Sequence, residues 1–314
     1  MKVILLILQI VITKFVIRKE IRDMTDEEWD KYKTAFNLFK EKGYLAYIAK
    51  IHIEVDTYAH KNGRFLPWHR MLLLYVESIL QMLTKDYDMS IPYWDWTIDA
   101  SDPDNSFIFT EKYWGIKECY LVTYPYEHCL LRNKKTIEPF YSKKDIDRLL
   151  TKKGSYNEFR DVLELIPHAL VHANVGGEEG DMSQMFSPND PVFWHHHSFI
   201  DYIWHQKQLK GLKNSYGGTD NNKKLEKSER LYPFNKQVEE VLDITKCKIK
   251  FKPFKYFKTM TKVTKASELN ADYIKLHDYD TEKVRKYEQF MRGESKKSLS
   301  RKIYEWLTGN TKMT

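Results

Sequence analysis

The chain has 314 residues, 42% of them hydrophobic and 14% aromatic, with 51 Lys/Arg against 44 Asp/Glu for a net charge of +7. That length and apolar content suffice for one large folded domain, or a domain with an extension, and exclude a disordered polyelectrolyte. The charge is uneven: from Lys246 onward 18 Lys/Arg face 8 Asp/Glu, whereas the first 245 residues carry 33 against 36, and although such a basic tail can meet nucleic acid, anionic lipid or an acidic partner, no nucleic-acid motif accompanies it and a solvated lysine-rich surface is the simpler reading.

Val3 to Ile12 is apolar apart from Gln9 and follows Lys2. It is too short for a membrane span, so no stable span is expected. It fits either the apolar core of a secretory signal, despite the bulky residues after it, or a Val/Ile-rich strand. The protein is secreted on the first reading and cytoplasmic on the second. The chain has no Asn-x-Ser/Thr sequon, a weak sign against a glycosylated extracellular protein.

Thr25 followed by Asp26, Glu27 and Glu28 reads as a helix start, with a capping threonine and acids in the first turn. Trp29, Tyr32, Phe36, Leu38 and Phe39 continue it at helical spacing as far as Gly43. Tyr44 to about His60 predicts a second helix, and His69 through Leu80 a third with a strong apolar face. Residues 88–140, with four prolines and little periodicity, predict loops and short strands. Glu158 to Ala173 predicts another helix. Asp190-Pro191 is a cap followed by a first-turn proline and should open a helix reaching about Leu209. Beyond residue 250 the sequence predicts a short β-like piece between Phe251 and Lys262 and helical segments after Asp280. Of the three cysteines, Cys119 and Cys129 can pair in an oxidising compartment, and their spacing fits no zinc finger.

Histidine is the informative residue type. His52, His60 and His69 form one block. His168, His172 and the run His195-His196-His197 form another, about a hundred residues later. His168 and His172 are four apart, so on a helix they share a face, and His197 can bring a third nitrogen from the next helix. No carboxylate or cysteine stands in ligand register. That argues against hydrolytic zinc and against the two-histidine, one-carboxylate iron site. Two open three-nitrogen sets suit redox chemistry at two copper ions.

Three stretches carry a family resemblance. His60 is followed nine residues later by His69 within Phe65-Leu66-Pro67-Trp68-His69-Arg70. Pro167 through Gly177 contains His168, His172 and Asn174-Val175-Gly176-Gly177. Ser187-Pro188-Asn189-Asp190-Pro191-Val192-Phe193-Trp194 leads to His197, four residues before Asp201. Ile91 to Trp96 and the entry from Arg18 to Trp29 add to it. The chain resembles the tyrosinase/catechol oxidase family, type 3 dicopper proteins related to molluscan-type haemocyanin, over roughly residues 16–250.

The resemblance implies a mainly α fold, a four-helix bundle holding a dicopper centre, with long loops, short β pieces and a C-terminal extension. The segments expected are 1–17, the apolar N-terminus; 18–250, the catalytic domain; and 251–314, a basic extension. Copper A would take His52 (placed by spacing), His60 and His69, and copper B His168, His172 and His197. His196 resembles a histidine that supports the ligands in relatives. His195 stands where relatives are apolar and reads as incidental. His128, His205 and His277 read as structural or surface residues. The implied activity uses O2 to oxidise o-diphenols to o-quinones, with ortho-hydroxylation of monophenols as a further step. The alternative is a haemocyanin-like O2-binding protein without turnover. The implied partners are a small phenol and O2, with no nucleic acid, and no oligomeric state follows.

The chain also departs from the family pattern. Many tyrosinases carry asparagine directly after the first copper B histidine, where it helps activate a water; here that residue is Ala169, which offers no side-chain hydrogen bond. Diphenol oxidation is therefore favoured over hydroxylation. Glu164 is the candidate for the family's water-holding glutamate, against a solvent-facing helix acid. Ser187 takes the place of a bulky residue that covers copper A in some relatives, which favours an open site and an enzyme. No cysteine lies between His52 and His60, so the family's thioether cannot form. Phe254, Tyr256 or Phe257 are the residues of the extension that could cover the entrance.

Overall fold

The computed structural model describes residues 14–255 and 264–294. Val3 to Ile12, Tyr256 and Phe257 lie outside them. Helices dominate. After strand β1 (Val16–Arg18) come α1 (Asp26–Glu41), α2 (Tyr44–Glu54), α3 (Asp56–Ala59) and α4 (Phe65–Thr84). A long irregular stretch follows, holding the hairpin β2 (Leu121–Val122) and β3 (His128–Cys129). Then come α5 (Lys143–Thr151), α6 (Tyr156–Leu163), α7 (Ala169–Gly176) and α8 (Pro191–Lys207). Two small hairpins, β4–β5 (Thr219–Asp220, Lys223–Lys224) and β6–β7 (Arg230–Leu231, Lys236–Gln237), precede α9 (Val238–Leu242), β8 (Ile249–Phe251), α10 (Ala271–Leu276) and α11 (Thr281–Met291).

Local chemistry sets several boundaries. Thr25 caps α1 reciprocally with Glu28: its hydroxyl accepts the Glu28 N–H at 3.2 Å, and the Glu28 carboxylate accepts the Thr25 N–H at 2.9 Å. Gly43, at φ 80°, ends that helix in the left-handed region where a side chain would be strained. The segment expected to run helical from Tyr44 to His60 breaks at Val55, and His60 itself is extended. The helix expected over 158–173 forms within an unbroken helical run from Tyr156 to Gly176 that widens to a π turn over Glu164–His168. Pro167 sits inside that turn; it has no N–H to donate and its ring clashes with the carbonyl a turn earlier. The α8 helix also ends in a π turn, Gln208–Leu212, which contains Gly211 at φ 123°.

The apolar core gathers buried Trp29, Trp68, Trp94, Trp96, Trp194 and Trp204. Buried residues of the C-terminal stretch, including Leu269, Tyr273, Val284 and Met291, belong to the same core. A second, small cluster of Val16, Ile244 and Ile249 forms where β1 runs parallel to β8, with Val16 opposite Ile249 and Arg18 opposite Phe251.

A charged network lies beneath this pairing. Arg18 reaches both Glu77 oxygens at 2.7 and 2.8 Å and Asp201 at 2.7 Å. Arg70 donates to the other Asp201 oxygen at 2.7 Å, to the carbonyls of Val241 and Leu242, and lies 3.7 Å over the Trp204 ring. All four charged groups are buried, so removing one leaves its partner's charge without compensation. Asp201→Ala is expected to lower unfolding stability by roughly 3–5 kcal/mol in urea titration; a loss below about 1 kcal/mol, the range of exposed pairs, would show that the network does not hold the helices together.

Candidate metal centre

Six imidazoles converge in the bundle. His52 comes from α2, His60 from the end of α3 and His69 from α4. His168 comes from the π turn, His172 from α7 and His197 from α8. In the first set the ring centroids are 4.9, 5.0 and 5.6 Å apart. In the second, the His168–His172, His168–His197 and His172–His197 separations are 4.5, 5.0 and 5.4 Å. The sets abut: His69 and His197 stack at 4.4 Å with an interplanar angle of 11°. All six rings are at least 92% buried, His60 being the most exposed at 8%.

Five of the six are oriented through Nδ1. His60, His69 and His168 donate to the carbonyls of Asp56, Phe65 and Glu164, each four residues earlier. His52 and His172 donate to Met185 and Met182 carbonyls, both at 2.7 Å. A carbonyl only accepts, so each Nδ1 carries the proton and each Nε2 presents a lone pair. His52 Nε2 and His69 Nε2 then face each other at 3.4 Å, two acceptors with no proton between them. A cation resolves that repulsion: nitrogens about 2 Å from one metal at a tetrahedral angle stand about 3.3 Å apart. In the other set, His172 Nε2 and His197 Nε2 are 3.2 Å apart. His197 is the exception to the anchoring, because its Nδ1 has no hydrogen-bond partner.

Burial keeps the rings neutral. It pushes His52, His60 and His172 down to about 3, and His69, His168 and His197 well below their ordinary value, with repulsion among the rings adding to it. Two open, all-nitrogen, uncharged donor sets fit soft or borderline redox ions and leave positions for exogenous ligands.

Glu164 is buried, not a solvent-facing acid. One oxygen accepts the Lys61 N–H at 2.6 Å and the other the Arg160 guanidinium at 2.8 Å. It therefore ties the residue after His60 to the turn that carries His168. Burial nonetheless raises its carboxyl pKa, outweighing Arg160 and the Lys61 N–H. Ala169 is fully enclosed beside His168, and Ser187 is buried at the start of the short turn Ser187–Asn189.

His195 is not incidental. Its Nδ1 donates to the Pro92 carbonyl at 2.9 Å and its Nε2 accepts the Trp114 indole N–H at 2.7 Å, locking α8 to two loops. His196 lies 5.0 Å from His172 and stacks on His168 at 5.4 Å, and neither of its ring nitrogens has a partner. Nor is His277 remote: its Nε2 donates to the Ser183 carbonyl at 2.9 Å, and the Tyr273 ring packs on it at 4.2 Å. The C-terminal segment thus reaches the metal centre through α10 and His277.

Sequence reasoning missed the two aromatics that flank the centre. Phe65 packs 4.8 Å from both His69 and His168. Phe193 packs 4.2 Å from His197, 5.4 Å from His52 and 5.9 Å from His172. Each precedes a ligand by four residues on its own helix, and that spacing was the available signal.

The neutral rings give a pH test. The unfolded chain protonates these histidines near 6.5, whereas the fold keeps them neutral, so below 6.5 the unfolded state binds more protons. Their contribution is present above pH 6.5 and is lost as pH falls through about 3. The urea midpoint of the copper-free protein is expected to fall steadily over that window; a midpoint unchanged through it would contradict the assigned burial.

Comparison with known proteins agrees with this geometry. The family model for the common central domain of tyrosinase matches residues 42–123 and 122–210. The chain is 28% identical to a Streptomyces antibioticus tyrosinase over 263 residues, covering 70% of this chain and 93% of that one. It is 27% identical to a tyrosinase-like protein of Caenorhabditis elegans over 66% of this chain, which spans only 33% of that relative. Hemocyanin 2 of Megathura crenulata is 30% identical over 60% of this chain and 6% of its own length. In structure, the fold is similar to a polyphenol oxidase mutant from Thermothelomyces thermophila, with TM-score 0.61 at 19% identity over 77% of this chain and 89% of that one. A Burkholderia thailandensis tyrosinase gives 0.58 at 16% identity over 84% and 77%. With two histidine groups fit to hold a pair of copper ions and more than half its length matched by the family's central domain, the chain belongs to the tyrosinase family of type 3 dicopper proteins.

Proposed function

We propose that this protein is a dicopper oxidoreductase that uses O2 to oxidise o-diphenols to o-quinones, with weak or no ortho-hydroxylation of monophenols. The observation that carries the reading is the contact between the two donor sets at the His69–His197 stack. Copper passes one electron per ion, and the pair, when bound, supplies O2 binding and two-electron oxidation of the phenol.

The chain's own residues set the conditions for that chemistry. Backbone carbonyls hold five rings with Nε2 turned toward the metal positions. Phe65 and Phe193 keep water from the sides of the centre. Glu164 positions the His60 loop through its bond to the Lys61 N–H. Ala169 presents only a methyl group where an asparagine could orient a water or a phenolic hydroxyl, and this supports diphenolase over monophenolase activity. Ser187, a small residue within the loop that orients His52, supports an enzyme over an O2 carrier.

The Cys119–Cys129 disulfide supports passage through an oxidising compartment, and so secretion over a cytoplasmic location.

Copper-loaded protein is expected to turn catechols into coloured quinones. Ala169→Asn, at matched copper content, is expected to raise the monophenol-to-diphenol rate ratio by roughly tenfold or more. Equal ratios in variant and wild type would defeat the argument from Ala169, and reversible O2 uptake with no substrate consumed would favour the carrier reading. Thiol labelling of unfolded, unreduced protein is expected to modify only Cys247; three labelled cysteines would remove the support for an oxidising compartment.

A further inference from the structure

The loop over residues 181–189 orients one ring at each metal position. Its Met182 carbonyl holds His172 and its Met185 carbonyl holds His52. Unlike the carbonyls that orient His60, His69 and His168, these two belong to no helix that carries a ligand. Their placement depends on whatever fixes the loop.

Asp181 fixes its leading end. This carboxylate is 1% exposed and has three donors. His128 Nε2 donates to it at 3.0 Å, the Leu131 N–H at 2.9 Å and the Asn189 side-chain amide at 3.3 Å. The Asp181 N–H in turn donates to the Leu131 carbonyl at 2.9 Å. Asn189, at the far end of the loop, also donates to the Tyr124 carbonyl at 2.7 Å. One buried carboxylate thereby joins both ends of the loop to the β2–β3 hairpin, which Cys119–Cys129 closes. The His128 ring is itself held, with Nδ1 2.9 Å from the Tyr126 carbonyl. None of these hydrogen bonds ends on a ligand ring.

We propose that Asp181, held by His128, is a positioning residue for both copper sites: it sets the loop whose Met182 and Met185 carbonyls aim His172 and His52. A supporting group that orients a ligand ring shifts metal affinity without touching the metal. Because the loop serves one ring in each set, the effect reaches both coppers.

The test measures copper(I) release from the full chain to a competing chelator, together with the visible spectrum of the cobalt(II)-loaded protein, which reads ligand geometry. Asp181→Ala is expected to weaken both copper sites by roughly tenfold and to shift the cobalt spectrum. Asp181→Asn keeps an acceptor for the Leu131 N–H and should recover part of the loss. His128→Ala, a change at a partly exposed side chain, should weaken both sites in the same direction by less, and it carries the test if Asp181→Ala does not fold. Ile249→Ala, in the separate β1–β8 cluster, is the control, compared at an equal drop in thermal midpoint, and should leave copper affinity and the cobalt spectrum as in wild type. The proposal is overturned if the Asp181 and His128 variants lose no more copper than that control, or if only one of the two sites weakens. Copper binding is read without turnover, so failure here is distinct from failure of the proposed oxidase activity.

Discussion

Arg70 and Asp201 meet at 2.7 Å where water is excluded, and the two helices of the metal centre are locked in register by that contact. Arg70 follows His69 directly on α4, and Asp201 lies one helical turn after His197 on α8. Sliding either helix by a turn would leave two buried charges unpaired. Such pairs add little net stability over apolar residues of the same shape; what they impose is the penalty against any other register. Arg18 and Glu77 extend the lock to β1, so the N-terminal strand, α4 and α8 share one balanced set of charges. The stack of His69 on His197 lies next to this network in both helices.

Given that register, ring orientation is achieved in two ways. His60, His69 and His168 use the carbonyl four residues back, a device internal to each helical turn. His52 and His172 rely on the 181–189 loop, whose own position is set by Asp181, Asn189 and, from the C-terminal side, His277 on the Ser183 carbonyl. The centre therefore has a local half and a tertiary half. Glu164 joins the two donor sets from a third direction, through the N–H of Lys61.

The same arrangement explains why the centre suits oxidation better than hydrolysis. The six rings are uncharged because burial and mutual repulsion disfavour the imidazolium. Phe65 and Phe193 close the flanks with apolar rings. Glu164 has both oxygens engaged, by the Lys61 N–H and by Arg160, and the Asp56 carboxylate lies 3.8 Å from His60 on its Nδ1 side, away from the Nε2 that faces the metal position. A neutral, buried, nitrogen-rich donor set favours soft or borderline redox ions.

Much of this was legible in the sequence, and for a definite reason. The capping threonine Thr25 with its first-turn acids, the entry at Asp190-Pro191 and the four-residue step from His168 to His172 are short-range patterns, and helical geometry turns them into structure without outside help. The π turn at Pro167 and the break at Val55 were not legible, since the apolar periodicity runs through both. The roles of His195, His277, His128 and Asp181 were hidden because each depends on a partner far away in the chain. The helix starts at Thr25 and Asp190 and the two blocks of closely spaced histidines follow from the sequence alone, because they depend on local steps of a few residues. Only the tertiary structure decided how the two sets face each other and how His52 and His172 are aimed, because those depend on buried charges and loop carbonyls that meet only after the chain has folded.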